Sequence, residues 1–98
     1  MPSDLKFDWD KANVSHLARH NVTPKEAEEA LRNDPVDLGY EDVNDEERWN
    51  SIGHTDNFRV LLVVWTLRGE DDVVRVVTAR EAAKTAARAY LWGKGFLV

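Results

Sequence analysis

The sequence predicts an α+β fold made of two N-terminal helices, a four-stranded antiparallel β-meander and a C-terminal helix. Three observations support this. Two capped segments with helical spacing come first, four segments rich in β-branched residues follow, and an alanine-rich segment comes last. Short turns separate the four strands, so each is expected to pair with its neighbour. We expect one domain with its helices on one face of the sheet.

The first two helices are predicted from their N-terminal caps. Asp10 is a good cap for a helix over residues 11–20, which carries apolar residues at helical spacing. Thr23 begins the second helix, where a proline follows and Glu26 completes a capping box. This helix is expected to run to about Asn33, before an Asp-Pro pair ends it.

The remaining elements are predicted from residue type and alternation. The first two strands are expected over residues 36–40 and 48–52. The third, over residues 58–66, is apolar on both sides and therefore predicted to be central. The fourth is expected over residues 73–79. From residue 81 onward the composition changes to alanine, which predicts a helix.

Cations surround the predicted joint between the last strand and the last helix. Arg75 alternates with valines on the strand and is expected to be exposed, beside Arg59. Arg80 lies at the turn, and Lys84 and Arg88 follow at spacings of four. On a helix this spacing places side chains on one face. A helix N-terminus also favours anions. The joint is therefore predicted to hold phosphate.

The net charge of −5 argues against a nucleic-acid-binding protein, but the charge is unevenly distributed. Residues 1–47 carry 13 acids and 5 bases, whereas residues 48–98 carry 5 acids and 8 bases. The acidic residues of segment 41–47 form either a solvated loop or a contact for a basic partner protein.

Composition also limits the class of protein. There is no cysteine, which excludes disulfides and thiolate metal sites and suits the cytoplasm. The first residues do not resemble a secretory signal, and the longest apolar run, residues 60–65, is too short to span a bilayer. His16 and His20 have metal-pair spacing without a matching third ligand, so no metal or other cofactor is expected.

Four segments together resemble the BrnT toxin family of BrnT/BrnA toxin–antitoxin pairs. They are FDWDKANVSHLARHNVTPKEAEEAL, ERWNSIG, RVLLVVWTLRG and VRVVTAREAAK, which span roughly residues 6–90. The resemblance implies a RelE-like fold and a cytoplasmic endoribonuclease that works without a metal. It also implies neutralisation by a BrnA-like ribbon-helix-helix antitoxin, through which alone the protein would contact operator DNA. The two arginines that the family credits with activity fall on Arg59 and Arg80, and both are predicted to bind the same phosphate.

RNA cleavage also requires proton transfer. The candidates are His20, Glu47 and Tyr90, with His54 and Lys11 less favoured. Two of them have a structural alternative: His20 could cap a helix and Tyr90 could pack in the core.

Phosphate and base contacts complete the predicted site. Arg75, Lys84, Arg88 and Lys11 are expected to contact phosphate, and Trp49 is the candidate for base stacking. Three arginines could instead form surface ion pairs. Arg59 could pair with Glu47, and the other two are Arg48 and Arg68. A toxin-like module that binds its antitoxin without catalysis is the alternative function.

Overall fold

The computed structural model describes residues 5–69 and 71–97. Its elements are α1 (Lys11–Ala18), α2 (Pro24–Arg32), β1 (Val36–Val43), β2 (Glu46–His54), β3 (Val60–Arg68), β4 (Val73–Glu81) and α3 (Lys84–Gly93). The predicted order of helices and strands is confirmed. The main difference in bounds is that β4 continues to Glu81, which places Arg80 within the strand and not at a turn.

Both N-terminal caps form as predicted. The Asp10 carboxylate accepts from the backbone N–H of Asn13, and the Asn13 side chain accepts from the N–H of Asp10 in return. Thr23 and Glu26 form the same reciprocal pair at α2. These bonds satisfy N–H groups that the first turn of a helix leaves without a partner, so both helices begin where the sequence indicates.

The sheet is fully antiparallel, with strand order β1-β2-β3-β4. Alternation divides its side chains between two faces. The first face, which includes Val63, Trp65 and Val76, packs against α1 and α2. The second face includes Leu62 and Arg80, which pair across β3 and β4.

The prediction that all helices pack on one face is wrong, because α3 covers part of the second face. Ile52, Val60 and Leu62 form an apolar patch there, which Tyr90 and Leu91 of α3 cover. The odd-numbered residues of β3, such as Val63 and Trp65, lie in the core under α1 and α2. The even-numbered residues, such as Val60 and Leu62, lie in the apolar patch on the second face. A strand that is apolar on both sides requires cover on both sides.

The two edge strands of the sheet, β1 and β4, differ in whether another segment pairs with their outer edge. Val74 of β4 donates to the carbonyl of Lys6 at 2.8 Å and accepts from the N–H of Asp8 at 2.9 Å. Phe7 thus forms a parallel bridge beside β4. Within residues 5–69 and 71–97, β1 has β2 as its sole strand neighbour.

Candidate functional site

Arg59 immediately precedes β3 and fastens it to the N-terminal half of the chain. Its guanidinium donates to the carbonyl oxygen of Asn21 at 2.7 Å and to the carboxylate of Glu26 at 2.9 Å. The Glu81 carboxylate lies 3.9 Å from the same guanidinium. The partner of Arg59 is thus Glu26 of α2, and the alternative pairing with Glu47 is wrong. These contacts give Arg59 a structural role.

Arg80 lies on the second face of the sheet. It pairs with Leu62, and its side chain is exposed beside Thr78. The next residue, Glu81, points to the first face, where it approaches Arg59. Arg59 and Arg80 are therefore on opposite sides of the sheet. The predicted convergence of these two guanidinium groups on one phosphate is wrong, because β4 stays extended through Arg80 and alternation separates them.

Arg75 is also on the second face, at the other end of β4. Its side chain is 15% exposed, and its guanidinium lies 2.9 Å from the Asp10 carboxylate and 3.6 Å from that of Asp8. The Arg75 guanidinium, followed by the hydrogen bond from the Asn13 backbone, holds the pKa of Asp10 below its usual 3.8. The prediction of an exposed Arg75 beside Arg59 is wrong, because the segment before α1 covers it.

The predicted row of cations is interrupted where β4 ends. Lys84 begins α3, and Arg88 lies one turn later with its side chain exposed. Arg80 belongs to the strand and does not share their helical face. Only the last two cations of the predicted row therefore form a common surface.

Tyr90 belongs to α3, and its side chain is buried against the second face of the sheet. Its hydroxyl oxygen lies 2.7 Å from Nδ1 of His54, whose ring stacks on Phe58 at 5.2 Å and contacts Phe96 edge-on. Burial raises the pKa of Tyr90 and lowers that of His54. This placement supports the packing alternative for Tyr90, and it gives the predicted role in proton transfer no support.

Trp49 and Glu47 lie on the first face, away from Arg80. The Trp49 ring packs between Tyr40 at 5.7 Å and Trp65 at 5.0 Å, so it is not an open platform for a base. The backbone carbonyl of Glu47 accepts from the hydroxyl of Thr66 at 2.6 Å. The predicted roles of Trp49 in base stacking and of Glu47 in proton transfer would require a phosphate bound on the first face. Arg80, the predicted phosphate ligand, lies on the second face.

Lys11 begins α1, and His20 lies in the turn that follows the helix. Both side chains are exposed, and the His20 ring lies 5.8 Å from that of His16. In the part of the chain that the structure describes, no group of three or more potential metal ligands occurs. Both histidines are exposed, His16 on α1 and His20 in the turn after it.

The second face carries a cluster that the sequence predictions did not assemble. An open cavity of about 280 Å³ lies where β2, β3 and β4 meet α1. We call it the arginine cavity. Its charged and titratable side chains are His16, Glu46, Arg48, Arg68 and Arg75.

Strand alternation builds this cavity. Arg75 pairs with Thr66, while the adjacent Val76 and Trp65 pair in the core of the first face. Arg48 precedes Trp49, the core partner of Trp65, and so also points to the second face. Three strands thereby present polar side chains in one row.

His16 completes the cavity from outside the sheet. It lies on α1, which packs against β4 with Leu17 buried in the core. Its ring is exposed at the rim of the cavity. A contact between residue 16 and strands that begin 30 or more residues later depends on tertiary packing. Alternation of Arg48 and Arg75 with core residues was the available sequence signal.

The cavity combines the groups needed to cleave a phosphodiester without a metal. An imidazole can donate a proton, a carboxylate can accept one, and guanidinium groups bind phosphate oxygens in pairs. Glu46 is 2.9 Å from Nε of Arg48, and both side chains are about one-third exposed. Since Arg75 is already paired with Asp10, its position is fixed before any ligand binds.

Ion pairs around α1 and α2 predict acid sensitivity. Desolvation tends to raise the pKa of Glu26, but hydrogen bonds from Thr23 and Arg59 outweigh it and hold that pKa below the usual 4.5. A carboxyl whose pKa is depressed by folding contributes stability above its unfolded pKa and loses that contribution as the pH falls through its folded pKa.

We therefore expect the free energy of unfolding, measured in urea, to decrease as the pH falls below 4.5, with a further decrease below the usual 3.8 of Asp10. Glu26→Gln should show a shallower decrease than the unsubstituted chain. Equal slopes for the two proteins would contradict this assignment.

Comparison with known proteins places the chain in a family. A family model described as the ribonuclease toxin BrnT of type II toxin–antitoxin systems matches residues 9–85. A search of curated proteins gives no match. In the described part of the chain, no helix is both long and apolar enough to cross a bilayer.

Proposed function

Because the chain belongs to the BrnT family of ribonuclease toxins of type II toxin–antitoxin systems, we propose that it cleaves RNA without a metal ion, in the cytoplasm. We further propose that a ribbon-helix-helix antitoxin neutralises it and connects it to operator DNA. The observation that supports cleavage is the arginine cavity, which brings His16, Glu46 and three guanidinium groups together.

The proposed reaction is an attack of the ribose 2′-oxygen on the adjacent phosphorus. Glu46 accepts the proton of the 2′-hydroxyl as the new P–O bond forms, and His16 protonates the departing 5′-oxygen as its bond to phosphorus breaks. Arg48 and Arg75 bind the phosphate oxygens as negative charge develops on them. The products are a 2′,3′-cyclic phosphate and a 5′-hydroxyl.

Arg80 extends the proposed RNA path along the second face. It lies five residues beyond Arg75 on β4, which corresponds to roughly 15 Å along an extended strand. That distance suits a phosphate farther along the RNA and not the scissile one. Lys84 and Arg88 follow it on the exposed surface of α3. In this proposal Arg59 keeps its structural role on the first face.

One observation favours the alternative function, in which the chain binds its antitoxin without cleaving RNA. Carboxylates accompany two of the three arginines, because Glu46 pairs with Arg48 and Asp10 pairs with Arg75. Phosphate must therefore compete with these carboxylates for the guanidinium groups. An activity measurement separates the two functions.

We expect the purified protein to cleave mixed-sequence single-stranded RNA in EDTA at low salt, with products that end in a 2′,3′-cyclic phosphate. Removal of divalent metal should leave the rate unchanged, since the cavity supplies the acid, the base and the cations itself. Gel electrophoresis with end-group analysis measures both features. Intact RNA in EDTA together with cleavage restored by Mg²⁺ would contradict the mechanism.

A further inference from the structure

The outer edge of β1 is apolar and open. Val36, Leu38 and Tyr40 are 42%, 57% and 53% exposed. In residues 5–69 and 71–97 no other strand pairs with this edge. An exposed edge strand presents a row of N–H and C=O groups that can pair with another extended chain.

An apolar groove of about 510 Å³ runs beside this edge on the second face. Val36 and Leu38 form one wall, Ala86 and Ala89 of α3 form the other, and Ile52 also lines it. A strand added to β1 would direct every second side chain toward this groove. Apolar side chains fit that environment.

The opposite side of the same edge carries acidic residues beside Tyr40. Asp37 and Asp42 pair with Ser51 and Glu47, which places them on the first face. Segment 33–47 contains seven acids and no base. A second copy of β1 would bring acids close to acids, whereas a basic segment would compensate the charge. A partner strand should therefore alternate apolar residues toward the groove with Lys or Arg toward Asp37 and Asp42.

We propose that β1 accepts, as a fifth strand of the sheet, an extended segment of a partner protein in which apolar and basic residues alternate. In a toxin–antitoxin pair the antitoxin would supply this segment, and that attribution rests on the proposed function. The binding itself does not require RNA cleavage.

The test uses a ten-residue peptide of alternating valine and lysine, titrated into the isotopically labelled full chain and followed by NMR. We expect amide signals of β1 and of the groove to shift, with binding at least about tenfold tighter than that of a valine–glutamate peptide. Methylation of alternate peptide nitrogens on the pairing edge should abolish binding, because it removes the strand hydrogen bonds.

Leu38→Lys should weaken binding of the valine–lysine peptide about tenfold, since it places a cation at the groove. Leu67→Lys is the matched control, because Leu67 is 38% exposed on the first face, and its binding should stay within about twofold. Equal affinity for both peptides, signal shifts confined to other surfaces, or no binding up to about 1 mM would overturn the proposal. RNA cleavage by Leu38→Lys should be retained, so failure of the nuclease function would appear separately.

Discussion

His16→Ala should lower the rate of RNA cleavage by about 10²–10⁴-fold, the range that a positioned proton donor contributes. His16 lies at the rim of the arginine cavity, which also contains Arg48 and Arg75, the two arginines that would hold the scissile phosphate. Its ring is exposed, so the free energy of unfolding should change by less than about 0.5 kcal/mol. Cleavage assays in EDTA and urea unfolding measure the two quantities.

His20→Ala is the control for this substitution. His20 is an exposed histidine four residues away, its ring lies 5.8 Å from that of His16, and it does not line the cavity. Its replacement should leave the cleavage rate within about twofold, because it contributes no group to the reaction. A large loss with His20→Ala and none with His16→Ala would reassign the proton donor to the turn after α1.

Gly53→Ala should destabilise the fold by about 3 kcal/mol, the upper part of the range for overpacked sites. A Cβ atom at Gly53 would overlap the backbone carbonyl of Ala30 in α2. Two backbone segments meet at this point, so no side chain can rotate to make space. The helix would have to move off β2, and the core around Leu31 would open with it.

Gly39→Ala supplies the comparison. No atom lies within 4 Å of a Cβ built at Gly39, which is also in a strand. Its substitution should be neutral or stabilise the chain by about 0.5 kcal/mol, because alanine loses less conformational entropy on folding. Urea unfolding of both variants gives the difference. Similar stabilities would show that α2 does not pack on Gly53 as described.

The helices and strands could be predicted because their signals are local. Asp10, Thr23 and Glu26 mark helix starts through bonds to residues three positions away. The position of α3 is different, since it depends on the even residues of β3 needing cover that only a distant segment provides. Apolar character on both sides of β3 was visible in the sequence, and it implied helices on both faces.

The site could be predicted only in part, for a related reason. Arg75 was correctly expected on β4, whereas Arg80 was expected at a turn and lies within the strand. Which arginines meet depends on strand alternation and on the register shift between Val64 and Trp65. Extension of β4 through Arg80 separates it from Arg59. The cavity instead gathers side chains from α1 and three strands, and no local pattern reports that association.

The most direct test of the central claim compares RNA cleavage in EDTA by Arg48→Ala and Arg59→Ala, each normalised to its folded fraction. Arg48 lines the cavity on the second face, whereas Arg59 is bound to Glu26 on the first. We predict that Arg48→Ala lowers the rate by about 10²-fold or more, as expected for a group that stabilises developing charge, and that Arg59→Ala stays within about twofold. Loss of cleavage in Arg59→Ala with full activity in Arg48→Ala would contradict the arginine cavity as the site of reaction.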